Sequence, residues 1–385
     1  MPGFEIIGKE EKLELNSIFK NGSVLFRHGF DDKRKGSYKV KEFENKFRKK
    51  FNSKYSLAVT SGTSALRVAL ATLNLKKDDE IITQAFTFVA TVESIVESRA
   101  KPVICEIDET LNMDPNDLIN KISKKTKAVI VVHMLGVPAD LTKIKKICDK
   151  RKIVLIEDTA WGCGGKFRNK FLGTWGQMGT FSFDFAKNIT TGEGGMILFK
   201  NKKDYEKAAA WHDHGHENNP KKQRWEDTRK SSGFNYRMTE LQGAVGIAQL
   251  NKLDFIIKQH RKNKNLIWKL ISKNKDINQR KILKGSYETA DALIIKLKNK
   301  KLALNLRKEL LKFNISTKIL PEAYTWHFAS SWSHINELKK KHKNLEFDFL
   351  KSKEIIEKCV SIPIFIKMNK SLIEKINIAI KNLLK

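Results

Sequence analysis

Short apolar runs alternate with amphipathic segments over the first two thirds of the chain. Two of these runs, residues 128–132 and 153–156, are apolar throughout and rich in β-branched side chains. Such runs are typical of strands that are buried on both faces of a parallel sheet. Further predicted strands cover residues 56–59, 80–83, 101–105 and 196–199, and predicted helices cover residues 64–73 and 87–98. Strands that alternate with helices predict an α/β domain.

The pattern changes near residue 250, where lysine-rich helical segments begin to alternate with isolated strands such as residues 292–295. We therefore expect a large α/β domain with an N-terminal arm over residues 1–250 and a smaller α+β domain over residues 251–385. A chain of 385 residues is long enough for two packed domains. A long helix is expected to connect them.

The net charge is +31, from 74 basic and 43 acidic residues. The basic residues are spread along the chain, and aromatic residues are not interleaved with them as base stacking requires, so we expect no nucleic-acid partner. The joint abundance of Lys, Asn and Ile is typical of an AT-rich genome, which would account for much of the charge. A positive field would still attract an anionic small substrate.

The sequence has no apolar stretch of the length of a membrane span and no secretion-signal pattern at its N-terminus, so a cytoplasmic protein is expected. Its four cysteines, at positions 105, 148, 163 and 359, form no CxxC pair, and reduced thiols are expected. Residues 211–217 include three histidines spaced two apart. This spacing does not suit helical metal ligation, and we expect no metal site.

A small polar turn at residues 60–63 follows the first predicted strand and leads into a helix. Unpaired N–H groups at a helix N-terminus favour an anion such as phosphate. Gly62 would let the backbone approach closely, and the hydroxyls of Thr63 and Ser64 would add donors. The alternative interpretation is an ordinary helix cap, which Ser and Thr form at many helices.

Two charged residues complete the candidate site. Asp158 comes just after a predicted central strand, where ligands of open α/β sheets bind, and it could pair with a cationic ring nitrogen. Lys187 stands between an aromatic strand that includes Ser182 and the glycine-rich turn 192–195. A desolvated lysine can supply the neutral amine that a nucleophile needs. Taken singly, an ordinary loop carboxylate and a surface lysine remain the alternatives.

The order and spacing of these features resemble the DegT/DnrJ/StrS family of sugar aminotransferases, within the aspartate-aminotransferase-like type I fold of pyridoxal-phosphate (PLP) enzymes. The resemblance extends over nearly the whole chain and is weakest over the last hundred residues. The matching stretches are residues 60–66, 87–91, 157–158, 181–195 and 233–250. The resemblance implies an α/β fold with a mostly parallel central sheet in the large domain.

The resemblance also implies a role for each matching residue. Lys187 would hold PLP as a Schiff base and then move protons, Asp158 would keep the pyridine nitrogen protonated, and Phe88 would stack on the ring. The PLP phosphate would be held by Gly62, Thr63, Ser64 and Ser182. Asn235 would reach the phosphate of the neighbouring subunit, which implies a homodimer with shared active sites.

One position departs from the family pattern. The family usually has His or Gln three residues after the aspartate, in contact with the ring oxygen of the cofactor, and this chain has Trp161. An indole has one donor and no acceptor. Trp161 would therefore either donate to that oxygen or simply pack beside it.

By this resemblance the chain moves an amino group, from glutamate as the expected donor, to a keto or aldehyde sugar for surface-polysaccharide precursors such as those of lipopolysaccharide. The acceptor would be a nucleotide-linked sugar or a free sugar acid such as an oxidised octulosonate. Arg27, which suits a carboxylate or a phosphate equally, and the segment 320–327 are candidates for sugar recognition.

Two alternatives to aminotransfer remain. The first is a PLP-dependent sugar dehydratase, but relatives with that activity carry His at the position of Lys187. The second is a non-catalytic regulator on the same fold. The intact set of Lys187, Asp158 and Ser182 argues against a loss of chemistry.

Overall fold

The computed structural model describes residues 3–219, 221–274, 276–321, 324–342 and 344–383. Its strands are β1 (Tyr55–Val59), β2 (Glu80–Gln84), β3 (Lys101–Cys105), β4 (Thr126–Val132), β5 (Val154–Asp158), β6 (Lys166–Phe167), β7 (Lys170–Phe171), β8 (Met178–Ser182), β9 (Gly195–Phe199), β10 (Asn278–Gln279), β11 (Ser286–Tyr287), β12 (Ala292–Lys296) and β13 (Cys359–Pro363). Its α-helices are α1 (Lys9–Lys20), α2 (Asp31–Arg34), α3 (Lys39–Lys50), α4 (Gly62–Ala71), α5 (Ala90–Glu97), α6 (Pro115–Lys121), α7 (Leu141–Arg151), α8 (Lys202–Trp211), α9 (Glu240–Ile271), α10 (Lys300–Lys312), α11 (Tyr324–His327), α12 (Asn336–Lys341), α13 (Leu350–Glu357) and α14 (Lys370–Leu383). Short 3-10 turns lie at Gly3–Ile6, Met134–Gly136, Arg224–Glu226, Ala329–Ser331 and Leu345–Phe347.

A seven-stranded sheet with the order β1-β9-β8-β5-β4-β2-β3 forms the centre of the large domain. The strands β8, β5, β4, β2 and β3 are parallel, and β9 runs antiparallel to both β1 and β8. The expected α/β fold with a mostly parallel central sheet is therefore confirmed.

The apolar run of β4 is explained by a core on each face of the sheet. Ala128 and Ile130 pack into one hydrophobic cluster, whereas Val129 and Val131 pack into another on the opposite face. Successive side chains of a strand point to opposite faces, so a strand covered on both sides must be apolar at every position.

The smaller sheet, β10-β12-β13, lies in the C-terminal part of the chain, and a third sheet joins β11 to β6 and β7. The expected boundary at residue 250 lies inside α9, whose first half packs in a core with β8 and β9 and whose second half packs in a core with β12 and β13. The long helix therefore bridges two cores, and a boundary at residue 250 stays a prediction.

Parallel strands bring their carboxyl ends to one edge of the sheet, where ligands of open α/β sheets bind. The turn after β1, the end of β5 and the end of β8 meet at this edge, so segments more than a hundred residues apart face one cavity. None of the helices in the described ranges combines the length and the apolar character that a membrane span requires.

Candidate active site

A cavity of about 440 Å³ opens at this edge of the central sheet. The structure brings seven of the nine predicted site residues to its wall. They are Gly62, Thr63, Phe88, Asp158, Trp161, Ser182 and Lys187. The other two, Ser64 and Asn235, lie elsewhere.

The N-terminus of α4 forms one end of the cavity. The first N–H groups of a helix lack intrahelical partners, and two of the residues that carry them here, Gly62 and Thr63, line the cavity. A Cβ atom added to Gly62 would lie 2.7 Å from the Cβ of Ser182. Glycine is therefore needed at position 62, because it lets α4 approach the end of β8.

Ser64 belongs to the cap of this helix and is buried. Its amide donates to the Ser61 hydroxyl at 3.0 Å, and its own hydroxyl accepts from the Ser61 amide at 2.7 Å. The direct phosphate contact expected for Ser64 is not supported by this geometry. The capping role, which was the alternative interpretation, accounts for the residue.

Asp158 is the last residue of β5, and its carboxylate is almost fully buried. Oδ2 accepts from the Thr91 hydroxyl at 3.0 Å, and Oδ1 accepts from the Ala160 amide at 3.1 Å. Burial raises the pKa of this carboxyl group, although both hydrogen bonds oppose the shift. A cation placed beside the carboxylate would therefore stabilise it strongly.

Sequence reasoning did not assign a role to Thr91. Its hydroxyl also lies 2.8 Å from that of Thr87, one turn earlier. The signal was present in the matching stretch 87–91, where the two threonines are four residues apart and so share one face of a helical turn.

Lys187 follows β8, and its Nζ lies 3.6 Å from the centre of the Trp161 ring. Burial lowers the pKa of this lysine to about 8, against the opposing charges of Asp184 and Asp158. A neutral amine is thus accessible close to physiological pH, as a lysine nucleophile requires.

Trp161 packs between the two parts of the chain. Its carbonyl accepts from the Thr289 hydroxyl at 3.2 Å, and its ring belongs to a hydrophobic cluster that also contains Phe86 and Phe328. The packing interpretation of this residue fits its position. A second ammonium group, that of Lys318, lies 4.7 Å from the centre of the same ring.

Aromatic residues surround the mouth of the cavity. The Phe88 ring centre lies 5.9 Å from that of Trp326 and 5.3 Å from that of His327. The amides of Thr87 and Val89 donate to the carbonyls of His327 and Trp326 at 3.0 and 2.8 Å. The candidate segment 320–327 therefore reaches the cavity through Trp326 and His327, while its residues 322 and 323 lie outside the described residues.

Arg27 does not reach the cavity. Its guanidinium group donates to Glu44 at 2.7 Å and to the Ala58 carbonyl at 2.9 Å, and its side chain is largely buried. The expectation that Arg27 recognises the sugar is not supported, because both partners bind it inside the large domain.

Asn235 is exposed on the segment that follows α8, away from the cavity of its own subunit. Asp213 holds this segment in place by accepting from Arg224 and Arg237 and by lying 3.3 Å from His28. A contact between Asn235 and a neighbouring subunit stays a prediction.

Over the described ranges, no group of three or more His, Cys, Asp or Glu side chains is placed to hold a metal ion.

A buried lysine, a buried carboxylate and a helix N-terminus thus line one cavity at the carboxyl edge of an α/β sheet, an arrangement that suits an enzyme with a lysine nucleophile and an anionic ligand. Residues 27–381 match the model of the DegT/DnrJ/EryC1/StrS aminotransferase family. The chain belongs to this family, and it is a sugar aminotransferase.

Individual relatives agree with this assignment. The GDP-perosamine synthase of Escherichia coli O157:H7 is 37% identical over 251 residues, which are 63% of this chain and 67% of that protein. The solved aminotransferase from Psychrobacter cryohalolentis has the same fold, with a TM-score of 0.86 at 24% identity over 98% of this chain and 97% of that one.

Dehydratases are also among the relatives. The GDP-4-keto-6-deoxy-D-mannose 3-dehydratase of Escherichia coli O55:H7 is 36% identical over 247 residues, which are 59% of this chain and 63% of that protein. The family match and the lysine at position 187 favour aminotransfer over dehydration.

Proposed function

We propose that the protein binds PLP in this cavity and uses it to transfer an amino group from glutamate to a keto or aldehyde sugar. The observation that carries the proposal is the meeting of Lys187, Asp158 and the N-terminus of α4 around one cavity. The same proposal places the enzyme in the cytoplasm, in the synthesis of surface-polysaccharide precursors. Four buried, unpaired cysteines agree with a reducing compartment.

The residues of the cavity fit PLP. The close approach at Gly62 brings the N-terminus of α4 against Ser182, so that backbone N–H groups and the residues Thr63 and Ser182, which carry hydroxyls, line the cavity as donors for a phosphate. The buried Asp158 carboxylate suits a protonated ring nitrogen. The Phe88 ring at the mouth suits an aromatic ring face. The cavity volume is within the usual range for small-molecule sites.

PLP, when bound, supplies an electron sink for the carbon that loses its proton. The neutral amine of Lys187 would attach the cofactor and, once released, would hold the proton that leaves this carbon. The Asp158 carboxylate would keep a positive charge on the ring nitrogen. The hydrogen bonds from Thr91 and Ala160 fix the orientation of this carboxylate. Glutamate and the sugar would react in turn, in a ping-pong scheme.

The acceptor is proposed to be an anionic sugar. Among the described residues of the cavity wall, Lys187 is the one lysine or arginine, whereas Asp158, Asp184 and Glu193 are acidic, so further basic residues are needed to meet the charge of the sugar. In a homodimer, the exposed basic residues of segment 221–230 could meet the sugar from the other subunit, because they precede Asn235 on the same surface segment. Both acceptor types, a nucleotide-linked keto sugar and a free sugar acid, fit this arrangement.

The test uses the purified enzyme with PLP, glutamate and a panel of keto and aldehyde sugars of both types, with release of 2-oxoglutarate as the readout. Lys187→Ala should abolish this release and the visible absorbance of the bound cofactor. Lys202→Ala, on the exposed side of α8, is the matched control and should change neither. A Lys187→Ala protein that kept both signals would disprove the proposal.

A further inference from the structure

Lys318 is a second lysine beside the active site, and no motif of the sequence singles it out. Its ammonium nitrogen lies 4.7 Å from the centre of the Trp161 ring, and that of Lys187 lies 3.6 Å from the same centre. The two nitrogens are therefore at most about 8 Å apart, a distance at which like charges in a protein interior repel each other appreciably.

Asp291 forms a buried ion pair with Lys318. The Lys318 Nζ lies 2.5 Å from Oδ2 of Asp291, and the two side chains are 11% and 1% exposed. The Lys318 charge keeps the pKa of Asp291 low in spite of burial. Oδ1 of Asp291 is buried and, over the described ranges, has no hydrogen-bond partner. The ammonium of Lys318 is therefore the group that compensates this carboxylate.

The pair is anchored on the small sheet. Asp291 immediately precedes β12, and the Lys318 amide donates to the Ser361 carbonyl of β13 at 2.7 Å. Trp161 and Lys187 come from the turns after β5 and β8 of the central sheet. The C-terminal part of the chain thus places the positive charge of Lys318 close to Lys187 of the large domain.

We propose that Lys318 is a positioning residue, which acts across the Trp161 ring to keep Lys187 in its neutral, nucleophilic form. The inference rests on the role of Lys187 in the proposed function. Two ammonium groups that both lie close to one indole ring repel each other. Lys318 has Asp291 as its ion-pair partner, and its repulsion adds to the burial that lowers the pKa of Lys187.

The remaining charges around Lys187 act in the opposite direction. Four carboxylates face it, and each favours the protonated amine. They are Asp158, Asp184, Asp291 and, at the glycine-rich turn, Glu193. His260 lies beside the Lys318–Asp291 pair, but burial lowers its pKa to about 4, so it adds no charge near neutral pH. Lys318 is therefore the cation that offsets these carboxylates.

The test measures the titration of Lys187 in the intact 385-residue chain after removal of the cofactor. Trace acetylation with acetic anhydride between pH 6 and 10, followed by peptide mass spectrometry, gives the rate at Lys187 relative to the exposed Lys202. The midpoint is the pH at which Lys187 is acetylated at half of its maximal rate. Lys318→Met should raise this midpoint by about one pH unit, so that acetylation of Lys187 below pH 8 falls about tenfold. Lys318→Arg, which keeps the charge, should restore a midpoint close to that of the native chain.

Lys318→Met leaves Asp291 buried without its partner and could prevent folding. The double variant Lys318→Met, Asp291→Asn removes both charges, and it should still raise the midpoint, by a smaller amount. An unchanged midpoint in the folded variant would overturn the proposal. A raised midpoint together with a higher maximal acetylation rate of Lys187 at high pH would also overturn it, because the higher rate would show that the variant has loosened the site. These outcomes do not depend on whether Lys187→Ala retains amino transfer, so the two proposals can fail separately.

Discussion

At the residue scale, the two central side chains are both driven by burial toward their neutral forms. Burial raises the pKa of Asp158 and lowers that of Lys187 to about 8. For the lysine this supplies a nucleophile. For the aspartate it leaves a carboxylate that a nearby cation would stabilise further, beyond the hydrogen bonds from Thr91 and Ala160, and a protonated ring nitrogen would be such a cation.

Replacement of Asp158 by Asn tests whether its negative charge is needed to stabilise a protonated ring nitrogen. The amide keeps the size of the side chain but cannot hold a positive charge on a ring nitrogen. Turnover should therefore fall about a hundredfold or more, while PLP still binds through Lys187 and the N-terminus of α4. Stopped-flow turnover and equilibrium cofactor titration measure the two effects.

Asp184→Asn is the matched control for this change, since it removes another carboxylate of the same cavity. Its Oδ1 accepts from the Ala186 amide in the adjacent turn, so we expect a smaller loss. Near-normal turnover in the Asp158 variant, or equal losses in both variants, would contradict the assignment.

At the element scale, the approach of α4 to β8 shapes the predicted phosphate site. In Gly62→Ala the new Cβ would lie 2.7 Å from the Cβ of Ser182, so the helix would have to shift. We expect a loss of about 1–3 kcal/mol in the free energy of unfolding. Cofactor affinity should also fall at least about tenfold, because the N–H groups move from the phosphate. Urea denaturation and PLP titration measure these changes.

Lys258→Ala is the control for this prediction, because Lys258 is an exposed residue inside the helix α9. Its unfolding free energy should change by no more than about 0.5 kcal/mol. Equal effects in the two variants would show that the contact of Gly62 with Ser182 is unimportant.

The sequence predicts an element well when the pattern of apolar and polar residues within that element shows which of its faces are buried. Strand β4 is apolar because both of its faces are covered, and that information lies within a few residues. Lys187 and Asp158 could be assigned because each follows a strand within a specific block of sequence. Lys318 could not, because only the packing of the small sheet against Trp161 brings it to the site. The contacts of Arg27 with Glu44 and Ala58 could not be predicted either, since they join residues that are distant in the sequence.

At the scale of the whole molecule, the exposed position of Asn235 bears on how the active sites are built. Its side chain does not line the cavity of its own subunit, yet the surrounding segment is held firmly through Asp213. An exposed segment that is anchored by ion pairs and carries basic residues is suited to a contact between subunits. In the proposed homodimer each cavity would therefore combine Lys187 of one subunit with Asn235 of the other.

Mixing two defective variants tests this shared arrangement. Lys187→Ala should be inactive, and Asn235→Ala should bind PLP weakly because the phosphate loses a donor. If sites are shared, a mixed dimer has one site with both defects and one site with neither. After unfolding and refolding of an equal mixture, half of the dimers are mixed, so activity should reach about a quarter of the native value. If each site used its own Asn235, the mixture would show only the mean of the two separate variants, and size-exclusion chromatography with light scattering would verify that dimers had formed in either case.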